Sequence, residues 1–126
     1  MLKIKNLNKY YNKNKSNEIH VINDSTFELG EKGLVSILGH SGSGKTTLLN
    51  SLCGIDKVDD GQIIIDNQVI EKYKAGQMDD IRNNYFGYIF QNYNLLGNQT
   101  VFENIMILKN KSVPRGTLLF LSTKVN

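Results

Sequence analysis

Gly39-His40-Ser41-Gly42-Ser43-Gly44-Lys45-Thr46 sets a glycine, four further residues, a Gly-Lys pair and a threonine in a row, the spacing of a phosphate-binding loop. Each residue type has a reason. Glycines and small residues let the backbone take unusual dihedrals and turn its N–H groups inward around an anion. A helix starting at the same spot adds unpaired N–H groups and a partial positive charge. Lys45 would reach the β- and γ-phosphates of a nucleotide, and the Thr46 hydroxyl would be a ligand of Mg²⁺.

The elements needed to hold such a loop are legible on both sides. Leu34-Val35-Ser36-Ile37-Leu38 is a short apolar run ending at Gly39, the pattern of a buried strand. Leu48, Leu49, Leu52 and Cys53 share one face of a helix, and Gly54 stands where a helix C-terminal glycine belongs. Strand, loop and helix are therefore expected in order, and a flexible glycine linker does not fit them.

Composition sets the limits. A chain of 126 residues is one domain at most, and 40% hydrophobic content supports a small core. A net charge of +3, scattered along the chain, gives no footprint for nucleic acid. Lys13 and Lys15 sit in an Asn-rich stretch and read as solvated surface. Cys53 is the only cysteine, so no disulfide framework exists and a reducing cytosol fits. No apolar run is long enough to span a membrane and the N-terminus lacks a signal-peptide core. The expectation is a soluble protein that meets a membrane only through a partner.

Taken in order, Leu2 and Ile4 alternate with lysines as a half-buried first strand, and Asn6 to Asn17 reads as a polar loop. Tyr10 and Tyr11 interrupt that loop. They either pack down on the domain, which composition favours, or offer a face to a planar ligand. Ile19 to Leu29 is a second strand, and His20 within it has no metal-spaced partner and reads as structural or surface. Gln62 to Ile70 reads as a hairpin turning at Asp66-Asn67. Asp66 after three isoleucines imitates a Mg²⁺-binding Asp at a strand end, but the connection from Gly54 is too short for the crossover that a parallel core strand needs. Asp66 is thus expected to be a turn residue.

Glu71 to Gln77 reads as irregular, with Asp79 or Asp80 capping a short helix that carries Ile81 and Arg82. Phe86 to Phe90 is a strand ending at Gln91. Thr100-Val101-Phe102-Glu103 has the form of a capping box, opening a helix whose apolar face holds Val101, Phe102, Ile105, Met106 and Leu108. Pro114 and Gly116 break the pattern, and Leu118 to Leu121 is either a last strand or a tail with nowhere to pack.

Over residues 1 to about 110 the chain resembles the N-terminal half of an ATP-binding cassette (ABC) transporter ATPase. The resemblance is carried by Leu7-Asn8-Lys9-Tyr10-Tyr11, Gly39 through Leu49, Gly54-Ile55-Asp56, Asp60-Gly61-Gln62-Ile63, Arg82 through Leu96 with its Tyr88-Ile89-Phe90-Gln91 core, and Glu103-Asn104-Ile105. It is similar to the subgroup that powers lipoprotein release and the export of macrolides or antimicrobial peptides. The resemblance implies an α/β fold, a partial P-loop NTPase (RecA-like) core beside a small antiparallel β subdomain. Residues 1–111 would form the N-terminal half of the ATPase domain and 112–126 an atypical tail.

The same resemblance implies roles. Tyr11 would stack on adenine, against the packing that composition favours. Gly39, His40, Ser41, Gly42, Ser43, Gly44, Lys45 and Thr46 would wrap the triphosphate of ATP. Thr47 would contact the α-phosphate, and Thr46 and Gln91 would share Mg²⁺. The loop after Gln91 would receive a transmembrane subunit. The full-length parent would work as a head-to-tail dimer, cytoplasmic and peripheral on the membrane, coupling ATP hydrolysis to export or release of a lipophilic or peptidic substrate.

The family's Leu-Ser-Gly-Gly-Gln signature, its Mg²⁺-binding Asp strand, its catalytic Glu and its switch His do not occur in this sequence. The chain alone is therefore expected to be inactive, a nucleotide-binding fragment whose apolar faces at Ile105, Met106 and Leu108 are exposed and prone to association. A kinase or GTPase would need base- or substrate-recognition elements that the sequence does not offer.

Overall fold

The computed structural model describes residues 1–89, 95–109 and 118–121. Its centre is an antiparallel sheet of order β2-β1-β3-β4. The strands are β1 (Leu2–Tyr11), β2 (Ile19–Leu29), β3 (Asp60–Ile65) and β4 (Gln68–Val69). Leu2, Ile4, Leu7, Ile22, Ile63 and Ile65 turn one face of this sheet into the core. Against it pack helix α1 (Lys45–Leu52), through Leu49, Leu52 and Cys53, and helix α2 (Ala75–Tyr85), through Met78 and Ile81. This is the small antiparallel subdomain expected beside a P-loop core.

β1 runs well past the point where the sequence suggests a loop. Asparagines explain the difference. The β1–β2 ladder shifts register between Ile4 and Leu7 and again near Lys9, and Asn6 sits there at φ 47°, a left-handed conformation that Asn tolerates. Its N–H donates to Thr26 Oγ1 (2.9 Å) and its Nδ2 to Asp24 Oδ1 (2.8 Å). Asn8 Oδ1 accepts from the Asp24 N–H (3.0 Å) and lies 2.8 Å from His20 Nε2. Side-chain amides supply the bonds the bulged ladder loses, so a polar stretch continues as strand. At the facing bulge, Gly61 takes φ 96° and an added Cβ would overlap the Asn6 carbonyl.

The hairpin is as expected. Asp66 (φ 45°) and Asn67 (φ 66°) both adopt positive φ between β3 and β4, the backbone of a type I′ turn. The Asp66 carboxylate meets the Met1 ammonium at 2.9 Å, so it is a turn residue with a local charge partner. α1 also ends as expected, with Cys53 as C-cap and Gly54 following at φ 63°.

Two expectations are corrected. Leu34 to Leu38 is not a strand: it belongs to neither sheet among the described residues, and Leu34 is 97% and Leu38 82% exposed. An apolar run becomes a strand only when neighbours supply a ladder, and none does among the described residues. Asp79 and Asp80 do not cap α2. It begins a turn earlier, at Ala75, where the Lys74 N–H donates to Gln77 Oε1 (3.1 Å). Met78, Ile81 and Tyr85 at helical spacing draw residues 75–77 into the helix through packing rather than through an Asp cap, while Glu71 to Lys74 stay outside it.

β5 (Phe86–Ile89) pairs in parallel with β6 (Leu118–Leu121) in a separate sheet, which resolves the final apolar run as a strand. Helix α3 (Val101–Lys109) starts with the predicted capping box. The Glu103 N–H donates to Thr100 Oγ1 (3.2 Å) while Glu103 Oε2 accepts from the Thr100 N–H (2.8 Å) and hydroxyl (2.9 Å). Val101, Phe102 and Ile105 on α3 are exposed, and Met106 is half-buried.

Candidate phosphate-binding site

The loop 39–44 turns the chain directly into α1. Gly44 is the N-cap residue at φ 87°, and an added Cβ there would stand 2.8 Å from Val21 Cγ1. Glycine is required both for the dihedral and for the approach of β2. The Leu48 N–H closes the first helical turn on Gly44 O at 2.8 Å. Lys45 folds back over the loop, its Nζ donating to Gly39 O (2.7 Å), His40 O (2.7 Å) and Ser43 Oγ (3.3 Å). The ammonium thus spans the ring of the loop, where an anion's oxygens could replace those acceptors. No residue from 39 to 47 carries a carboxylate, so nothing in the loop opposes negative charge.

Tyr11 comes to this loop from the end of β1. Its hydroxyl lies 3.4 Å from Thr47 Oγ1, and the residue is 41% exposed. Composition favours packing for both tyrosines, and the structure separates them. Tyr10 stacks on His20 with centroids 3.9 Å apart and an 11° interplanar angle. Tyr11 instead stands at the edge of the site. His20 is accordingly structural.

The C-terminal end of α1 is anchored by long-range bonds. Arg82 Nη1 donates to Gly54 O (2.9 Å), and the Tyr88 hydroxyl donates to Asn50 Oδ1 (2.9 Å). Strand β5 is thereby fixed beside α1, while Gln91, which follows it, lies outside the described residues. Arg82, Tyr88 and Asn50 escape sequence reasoning as anchors, since nothing local marks partners so distant in the chain. Cys53 is buried among these contacts. Burial pushes its thiol up to about 12, with the Arg82 guanidinium pulling the other way, so it is inert packing rather than a nucleophile or ligand.

Two hollows lie elsewhere, one of about 540 Å³ near Lys5, Asp59 and Lys72 and one of about 510 Å³ near Ser51, Tyr73 and Met78. Neither includes residues 39 to 47; the loop itself lies open, with residues 39–43 exposed. Among the described residues no group of three or more His, Cys, Asp or Glu could hold a metal by itself. Among the described residues no helix is long and apolar enough to cross a membrane.

A glycine-turned loop at a helix N-terminus, a lysine folded across it and an aromatic ring beside it define a P-loop nucleotide-binding core. Residues 22–124 match the ABC transporter family, and the chain belongs to that family. It is 40% identical over 116 residues to the bacitracin export ATP-binding protein BceA of Halalkalibacterium halodurans, covering 91% of this chain and 46% of that protein. It is 36% identical over 107 residues to the methionine import ATP-binding protein MetN of Clostridioides difficile, covering 85% of this chain and 32% of that one. The dimeric ATP-binding cassette MJ0796, in a post-hydrolysis state bound to ADP and Pi, superposes with a TM-score of 0.78 at 34% identity, covering 90% of this chain and 50% of that chain. The chain thus spans half or less of the proteins it matches.

Proposed function

We propose that this chain is the nucleotide-binding part of an ABC transport ATPase and that it takes ATP with Mg²⁺. Gly39 to Thr46 wrap the triphosphate, Lys45 exchanges its loop carbonyls for the β- and γ-phosphates, and Thr47 meets the α-phosphate. Thr46 and Gln91 share the Mg²⁺, and Tyr11 stacks on adenine. The observation that carries this reading is the convergence of the Lys45-spanned loop and Tyr11, whose hydroxyl is 3.4 Å from Thr47. In the longer protein, the loop after Gln91 engages a transmembrane partner, a head-to-tail dimer completes the site, and the assembly sits on the cytoplasmic face of the membrane. The transported substrate is lipophilic or peptidic and moves outward. BceA, named for bacitracin export, supports that direction, and MetN, named for methionine import, is the competing assignment.

A second reading has its own support: the chain alone binds nucleotide and turns nothing over. The exposed Leu34–Leu38 run, which lacks ladder neighbours among the described residues, favours it. Calorimetric titration with MgATP tests both. The wild-type chain is expected to bind without releasing phosphate, and Lys45→Ala to weaken binding about tenfold or more, the worth of charge-assisted bonds to phosphate. Binding that survives Lys45→Ala undiminished would remove the phosphate-loop reading.

A further inference from the structure

β1 outruns its neighbour. β3 pairs with it from Leu2↔Ile65 only as far as Asn8↔Asp60, and Tyr11 lies beyond that ladder. β2 still pairs with the end of β1 on the other side, through Tyr10↔His20 and Tyr11↔Ile19, and on the β3 side other bonds take over. The Tyr10 N–H donates to Asp59 Oδ2 (2.7 Å), the Asp59 N–H donates to Asn8 O (2.9 Å), and Lys9 Nζ donates to Lys57 O (2.6 Å). The Asp59 carboxylate in effect completes a ladder that the β3 backbone no longer reaches. Lys9 and Tyr11, two residues apart on a strand, project from the same face. The anchored Lys9 ammonium lies 5.5 Å from the centroid of the Tyr11 ring. Residues 57–59 follow closely on the C-terminal end of α1, so these bonds tie the Tyr11 ring to the helix that carries the phosphate loop.

We infer that Lys9 and Asp59 are positioning residues for the Tyr11 ring, holding it at a set height and tilt over the start of α1. Lys9 covers one face, leaving the other to a planar base. The inference rests on Tyr11 being the base platform proposed above. A ring already held in place loses little further freedom when a base stacks on it. An ammonium within about 6 Å also draws on the ring's electron density and restrains it. The contribution is specific to the base. Lys9 and Asp59 bond to Lys57, Asn8, Tyr10 and Lys13, all of them outside the phosphate loop, so their effect on the nucleotide is expected to run through the Tyr11 ring and the base rather than through the phosphates.

The test compares Mg-ATP with Mg-tripolyphosphate, which has no base. Lys9→Met keeps the alkyl stem and removes the ammonium. It is expected to raise the Kd for ATP about fivefold and leave that for tripolyphosphate unchanged. Asp59→Asn should act in the same sense, and Lys9→Arg should restore ATP affinity to within about twofold. In a Tyr11→Ala background Lys9→Met should have no further effect, since its route is through the ring. Equal loss for both ligands, or a Lys9→Met effect that persists without the Tyr11 ring, overturns the inference. If Tyr11→Ala weakens ATP but Lys9→Met does not, the platform stands and the positioning role falls. If Tyr11→Ala leaves ATP affinity intact, both fall. A ligand-free readout completes the set: the chain has no tryptophan, so Tyr11→Trp reports alone. Lys9→Met should lower the anisotropy of that indole, and unchanged anisotropy counts against the inference.

Discussion

Glu103 shows how much a single side chain does when its partners are local. Hydrogen bonds from the Thr100 backbone and then its hydroxyl lower the Glu103 pKa from its ordinary value of 4.5. A depressed folded-state pKa means the carboxylate's contribution is complete above the unfolded value and is lost as pH falls through the folded one. The N-terminal turn of α3 should therefore hold fully at neutral pH and fray only as acid protonates Glu103 below its ordinary range. Circular dichroism of wild type against Glu103→Gln reads this directly, because the variant should show no such acid step. The capping box is legible in the sequence because its residues stand three apart. So is the phosphate loop, whose chemistry is contained in contiguous residues. Lys9 and Asp59 are not. Lys9 bonds a carbonyl 48 residues away and Asp59 an N–H 49 residues away, and no local spacing announces such pairs.

Elements are legible where backbone demands and side-chain pattern agree. The Asp66-Asn67 hairpin has both, since the type I′ turn needs positive φ that Asp and Asn accept. β1 reads too short in the sequence because its asparagines signal loop by propensity, whereas here they repair a bulge. Leu34 to Leu38 reads as a strand on apolar content, which cannot reveal whether a neighbour is present. The bulge itself is demanding: Gly61 combines φ 96° with the close approach of Asn6 O. Gly61→Ala is expected to cost about 1–3 kcal/mol, seen as a lowered urea midpoint at constant slope. A stability within a few tenths of wild type would mean that the two strands separate there at little cost.

At the level of the whole molecule, apolar surface is distributed unevenly. The sheet, α1 and α2 share one closed core, while Leu34, Leu38 and Phe102 stand largely in solvent. Exposed unpaired strand-like segments favour association. The purified chain should self-associate with rising concentration, and the double substitution Leu34→Lys with Leu38→Lys should suppress this in sedimentation velocity while leaving thermal stability unchanged. Persistent association would mean that the contact lies elsewhere, with the exposed α3 residues Val101, Phe102 and Ile105 the next apolar surface. The closed half of the molecule also carries its own clock. Cys53 is the sole thiol in the sequence, 1% exposed, and burial pushes its pKa up to about 12, so in the closed state it is both covered and almost wholly un-ionised at pH 8. An alkylating reagent therefore marks the protein chiefly when α1 lifts from the sheet. The rate of that chemical scar counts openings of the very helix whose first turn would grip a nucleotide, without any added probe.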